Sequence, residues 1–412
     1  MMPAAQGGGL GERVMAGALA GLKIVDMTVV ALGPFATMML AEQGAEVIKV
    51  ESPEGDTTRH VGPSKVGPGM GPHHLFVNRN KRSLCLDLKR PAALSALLQV
   101  IKGADALVYS IRPAAMGRLG LSYEAVRRVN PEICYVGAYG YHEDGPYGHL
   151  PAYDDAIQAA SGVAALMGGK DGPPRYAPTV LADKTVGLTL AYAILIALMH
   201  KVRTGQGQKV DVPMFETMVN WLMLEHLWER SIAADGTLGY SRLMTPSRKP
   251  YRAKDGYLAI LPYTDRHWRA FFEVAGEPQV MDDPRYATMG QRSRHIAEIY
   301  AMVERLTPAR SVADWIEALQ AREIPCMPVK SLEQLFEDPH LAARGLFRTV
   351  EHHSEGEIMT LAPPVAFSAT RSEHVRGAPR LGEDSLAVLR EAGLPEVEIE
   401  ALRVAGALRS VR

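Results

Sequence analysis

Apolar runs of strand length alternate with amphipathic stretches of helix length from the first third of the chain onward. The run 22–28 (LKIVDMT) is followed by a Gly33-Pro34 turn, a helical stretch over 35–42 and a second run at 45–51 (AEVIKVE). This succession predicts a βαβ unit, whose right-handed crossover sets two parallel strands in one sheet. Runs at 83–88, 106–109 and 133–139 predict three more strands, with helices over 92–101 and 123–129 between them. The pattern is that of a doubly wound, Rossmann-like α/β domain. Ligands of such sheets bind at the carboxyl ends of strands, which directs attention to residues 28–34 and 51–59. The first turn, TVVALGP, lacks G-x-G-x-x-G, which speaks against a nicotinamide dinucleotide.

Further on, nearly every residue from Val186 to Leu198 is apolar, which predicts a helix enclosed inside the fold. Asp183 stands at its amino end. Unpaired N–H groups and the helix dipole there favour a carboxylate that stays ionised, as a carboxylate nucleophile needs. An N-cap role accounts for the same aspartate, and the local pattern leaves both readings open. Turn-rich loops at 140–151 and 168–178 flank a helix over 153–162, and a strand at 208–212 precedes a helix over 214–228. The histidines of the first loop, His142 and His149, read as solvated, and Asp154 and Asp155 read as stabilising a helix start.

The pattern then changes. A basic, extended stretch at 247–255 opens a second βα succession (256–262, 265–274) followed by helices over 294–305 and 311–320. The organisation predicted is a tail at 1–20, a large α/β domain at 21–230 completed by 341–412, and a smaller α/β domain at 231–340. Strands at 347–351 and 358–361, a helix over 383–391 and a frayed end close the chain.

Composition narrows the function. A length of 412 residues exceeds what one core usually supports. A formal net charge of −1 with no long basic run argues against a nucleic-acid partner. Cys85, Cys134 and Cys326 are too far apart for a CxxC pair, so free thiols in a reducing cytoplasm are expected and a metal is not. The first residues lack the apolar core of a signal peptide, and no membrane-spanning segment is expected.

Seven stretches in order, LKIVDMT with VALGPFATMMLAEQGAEVIKVE, NRNKRSLCLDLK, AYDDAIQAASG, LADKTVG, TGQGQKVDVPMFE, DGYLAI with TDRHW, and IPCMPV with DPH, resemble the family III CoA-transferases, the CaiB/BaiF group. The resemblance covers about residues 22–384. It implies CoA transfer from an acyl-CoA to a free carboxylic acid, coenzyme A entering as substrate, and an aspartate nucleophile that falls on Asp183. That carboxylate would pass through a mixed anhydride and an enzyme-bound thioester. It also implies CoA contacts at Val29, Val30, Ala31, Leu32, Lys81, Arg118 and Met214, with Lys81 and Arg118 as cations for the phosphates, and an interlocked homodimer. Two features depart from the family's formyl-CoA enzyme: Ala31 replaces its first-turn glutamine, and residues 242–252, with Arg242, Arg248, Lys249 and Arg252, replace its glycine-rich loop. The basic run suggests a small dicarboxylic acid as acceptor, with a solvated linker as the competing account. An α-methylacyl-CoA racemase shares the fold but uses a histidine before the motif's aspartate, and Tyr153 stands there. A CoA-binding protein without catalysis is the other alternative.

Overall fold

The computed structural model describes residues 17–169 and 172–411. The tail predicted for 1–20 thus lies mostly outside the described residues. The chain forms two compact units, one of residues 1–157, 179–218 and 344–412, the other of residues 158–178 and 219–343.

The first unit is built on a seven-stranded sheet. Strands β1 (Lys23–Met27), β2 (Glu46–Glu51), β3 (Lys81–Leu86), β4 (Ala106–Tyr109), β5 (Cys134–Tyr139) and β6 (Lys209–Pro213) run parallel in the order β3-β2-β1-β4-β5-β6. That is the order of a doubly wound fold, with its switch point between β1 and β4. The register sets Ile24 of β1 opposite Val47 and Ala106, and Val25 opposite Ile48 and Leu107. All six are buried, which explains why these strands read as continuous apolar runs rather than as alternations.

The chain end does not fray. A helix at Glu396–Val404 and a short strand β12 (Leu408–Arg409) follow the predicted helix, here Ser385–Glu391, and β12 pairs antiparallel with Leu86 and Cys85 of β3. Ile399, Leu402 and Leu408 join the main core. Their apolar spacing is sparse among charges, so the segment has too little pattern of its own to announce an element. In the same unit β10 (Phe347–His352) and β11 (Gly356–Leu361) form a hairpin, numbered here in chain order after three strands of the second unit.

The apolar helix spans Leu181–Thr204 and ends at Gly205 in the left-handed conformation that closes such helices. It is not enclosed all round. Ala182, Val186, Leu190, Ile194, Ala197 and Leu198 are buried, whereas Leu188, Tyr192, Leu195, Ile196, Met199 and Val202 are exposed and follow one another at helical spacing down a single side. By length and composition this helix could also span a bilayer, a property the sequence reading did not register; here one side is packed into the unit.

The second unit has its own core, in which Trp268, Phe271, Phe272, Tyr300 and Trp315 pack together. Its sheet is antiparallel, with β8 (Tyr257–Ile260) between β7 (Tyr251–Arg252) and β9 (Cys326–Pro328).

Candidate active site

The carboxyl ends of β1 and β4 carry the turn from Thr28 to Leu32. Val30 adopts φ 66, a left-handed conformation that a β-branched residue avoids unless it is held there. Here it is held. Its N–H reaches the Asp56 carboxylate at 3.2 Å, and the N–H of Val29 donates to Ser110 Oγ at 3.0 Å across the switch point. The amides of Val29 and Val30, two of the residues the resemblance assigns to CoA contact, are therefore engaged by side chains of this chain. Val29 is the exposed one of the four, while Ala31 and Leu32 are buried as the helix Leu32–Glu42 begins. That helix starts at Ala31 with no side-chain cap and no acidic residue in its first turn, which leaves its amino end receptive to an anion.

A buried ionic network lies under the turn. Lys49 Nζ donates to Thr28 O at 2.9 Å and to Asp56 at 3.0 Å, while Lys81 Nζ donates to Asp26 at 2.9 Å, Pro34 O at 3.0 Å and Asn78 at 3.0 Å. Asp26 also accepts from Thr28 and Thr37 hydroxyls. Burial pushes the Asp26 carboxyl up, yet Lys81, Lys49 and these hydroxyls outweigh it and the pKa lies below the ordinary value. Glu51 behaves alike: against the push of burial, Arg59 and Lys49 hold it down at about 2. Lys81 is fully enclosed and all three of its ammonium protons have partners within the fold, so it presents no free donor to a phosphate. The sequence offered a cation matched to the phosphates by the family resemblance, without showing that its partner, Asp26, would lie on the adjoining strand but one.

Asp183 sits in the first turn of the long helix. It is not the N-cap: Val180 holds that position, and the Asp183 N–H donates to Asp154 Oδ1 at 2.9 Å. Nor is it held ionised by the helix end. Burial first, and then the charge of Asp154, push its carboxyl up to about 7. The helix dipole is outweighed here because the site is desolvated and a second carboxylate faces it. One turn later, a Cβ on Gly187 would lie 2.9 Å from Leu32 O and 3.0 Å from the Phe35 ring, so glycine is what lets this helix touch the first turn. Asp183 is thereby brought within about one helical turn, some 5–6 Å along the axis, of the Leu32 backbone.

Of the other predicted residues, Met214 is buried where β6 passes into the helix Met214–His226, and Arg118 is exposed at the end of the short helix Pro113–Arg118. Two residues with a direct part in this geometry were read too modestly from sequence. Asp154, taken as a helix-start residue, is the carboxylate against Asp183, and 29 positions of chain separate the pair. Asp56, which caps the short helix Thr57–His60, was not singled out, although the run EGDTT carries a capping signature.

A half-buried carboxylate paired with a second one, beside the open turn of a parallel sheet and an anion-receptive helix end, suits acid–base or acyl-transfer chemistry. Comparison with known proteins gives the family. The profile of "CoA-transferase family III" matches residues 19–385. A succinate–glutarate CoA-transferase of Agrobacterium fabrum is 32% identical over 90% of this chain and 95% of its own length. A formyl-CoA:oxalate CoA-transferase of Escherichia coli is 31% identical over 93% and 98%. Among solved structures, a CaiB/BaiF family protein from Brucella suis has a TM-score of 0.77 at 27% identity, over 92% of this chain and all of that one. The chain belongs to CoA-transferase family III. It is accordingly an enzyme of CoA transfer whose substrate is an acyl-CoA, as the sequence reading expected.

Proposed function

We propose that the enzyme moves CoA from an acyl-CoA thioester to a free carboxylic acid with Asp183 as covalent nucleophile. The observation that carries this reading is the pairing of Asp183 with Asp154 one helical turn from the turn at Leu32. An Asp183 oxygen attacks the thioester carbonyl, the C–S bond breaks, and CoA leaves as thiolate with a mixed anhydride behind it. The thiolate attacks Asp183 Cγ, releasing the donor acid and leaving an aspartyl thioester. The acceptor carboxylate attacks the same carbon and expels the thiolate, which then takes the acceptor's acyl group and frees Asp183. Asp154 gives the first step a driving force: acylation removes the Asp183 charge and with it the repulsion between this half-buried carboxylate and the buried one of Asp154. A carboxylate with a pKa near 7 is also more basic, and so more nucleophilic, than an ordinary one. The Asp154–Asp183 pair contains no imidazole, and Tyr153 is exposed, which favours transfer over racemisation.

The acceptor in this reading is a small dicarboxylic acid, supported by the cations Arg248 and Arg252 on an exposed segment and by the succinate–glutarate relative. The working form is an interlocked homodimer in the cytoplasm, with the uncovered side of the long helix against the second copy. Arg118 and the first turn take the CoA phosphates and pantetheine. Mass spectrometry of the enzyme with succinyl-CoA tests the chemistry: a covalent adduct on Asp183 is expected, and Asp183→Asn should lose both the adduct and transfer by several powers of ten. An Asn variant that keeps most of the rate would rule the mechanism out.

A further inference from the structure

We propose that the second unit carries its own pocket for the carboxylate of a small acid, centred on Arg242. The inference uses residues of that unit alone and does not depend on the role given to Asp183. A cavity of about 120 Å³ is lined by Tyr240, Arg242, Tyr263, Trp268, Arg292 and Tyr300. Its size suits a short acid.

The charges around it are unevenly matched. Arg292 is buried, but its guanidinium donates to Tyr286 O and pairs with Asp265, so its charge is answered inside the fold. Lys249 is paired with Glu304 at 2.7 Å. Arg242 has no carboxylate partner among the described residues. Its Nε donates to the Tyr300 hydroxyl at 2.7 Å, and its guanidinium carbon lies 5.0 Å from the centre of the Tyr263 ring. Both contacts fix the plane of the guanidinium without neutralising it. A half-buried arginine held flat, with N–H groups still unanswered by an anion, is built to receive a forked acceptor, and a carboxylate matches it with two parallel hydrogen bonds.

The remaining walls say what the rest of the ligand is like. Trp268 and Tyr300 are almost fully buried and stack at 6.1 Å, so one side of the cavity is a rigid apolar surface suited to a short methylene chain or a ring. A tetrahedral inorganic anion could use Arg242 but would gain nothing from that surface. The class of ligand is therefore a small carboxylic acid with an apolar body, rather than phosphate.

Calorimetric titration of the full-length enzyme with succinate, glutarate, benzoate and inorganic phosphate, without CoA, tests this. At least one acid should bind, phosphate should bind at least tenfold more weakly, and Arg242→Gln should weaken the acid by about tenfold or more, the size of a lost charged hydrogen bond. Arg242→Lys, which keeps the charge and loses the fork, should fall between. Tryptophan fluorescence, to which Trp268 in the pocket wall and Trp228 stacked on Tyr240 both contribute, should change on titration in wild type and not in a folded Arg242 variant. Binding should persist in Asp183→Asn. The proposal is overturned if no acid binds, if phosphate binds as well as the acids, if a folded Arg242→Gln or Arg242→Lys binds like wild type, or if Asp183→Asn abolishes binding, since the acid would then sit at Asp183. Failure of the covalent mechanism leaves all of these outcomes readable.

Discussion

With Asp183 as the proposed nucleophile, the pH dependence of the enzyme becomes a direct report on one pair of side chains. Since its carboxyl is raised to about 7 by burial and by Asp154, the nucleophilic form grows as pH climbs through that value. The rate constant for adduct formation should therefore rise with pH, with one proton's slope and a midpoint near 7. In Asp154→Asn the repelling charge is gone and the midpoint should move down, though not to an ordinary value, because burial is the larger cause. A midpoint unmoved by that substitution would separate the two residues electrostatically. Stability runs the other way: a carboxyl that binds its proton more tightly when folded contributes stability below the unfolded value of 3.8, and this is lost as pH rises through about 7. Asp183→Asn should then melt higher than wild type above pH 7 and gain nothing at pH 4. Lys81 offers the opposite lesson. Lys81→Met would strand Asp26 in the core at a cost of about 3–5 kcal/mol, seen as a lower urea midpoint. If the variant kept its stability and lost only acyl-CoA affinity, the enclosed ion pair described here would be wrong. Motif matching found both residues; it could not tell a cation facing solvent from one facing its partner two strands away, because only the sheet order decides that.

Among the elements, the first turn falls between strand and helix where the pattern puts it, but the pattern does not explain its shape. Strand, turn and helix follow from LKIVDMTVVALGP, but the positive φ of Val30 depends on Asp56, 26 residues later, and no local pattern encodes that bond. Asp56→Ala removes the acceptor of Val30 and the partner of Lys49 together. It should raise the KM for acyl-CoA more than it lowers kcat, as expected when the turn relaxes while Asp183 stays in place; an unchanged KM would mean that the turn keeps its shape unaided. The long helix was legible in extent and misread in surroundings. Hydropathy along a sequence reports that a side is apolar and cannot report what covers it.

For the molecule as a whole, the alternating runs make the doubly wound sheet legible, whereas the pairing of β12 with β3 is not, since nothing local marks a segment as an added strand of a sheet laid down hundreds of residues earlier. The exposed stripe Leu188, Tyr192, Leu195, Ile196, Met199 and Val202 is continuous and apolar, the kind of surface that a monomer seldom leaves to water. Light scattering should give twice the mass of the 44.8 kDa chain, and dilution to nanomolar concentration should not split it. Leu195→Glu with Met199→Glu should yield monomer or insoluble protein; a soluble wild-type monomer at every concentration would leave that stripe without a partner.

The pairing of β12 with β3 bears on how the protein is made. Leu86 leaves the ribosome about 320 residues ahead of Leu408, the residue that covers it. At roughly 5–20 residues per second, the outer edge of β3 waits on the order of 15–60 seconds of synthesis with its backbone groups unclaimed. During that interval the nascent chain presents an edge that other nascent chains can pair with, so production in the cell should depend on a chaperone that shields this strand until the last turn of the chain arrives.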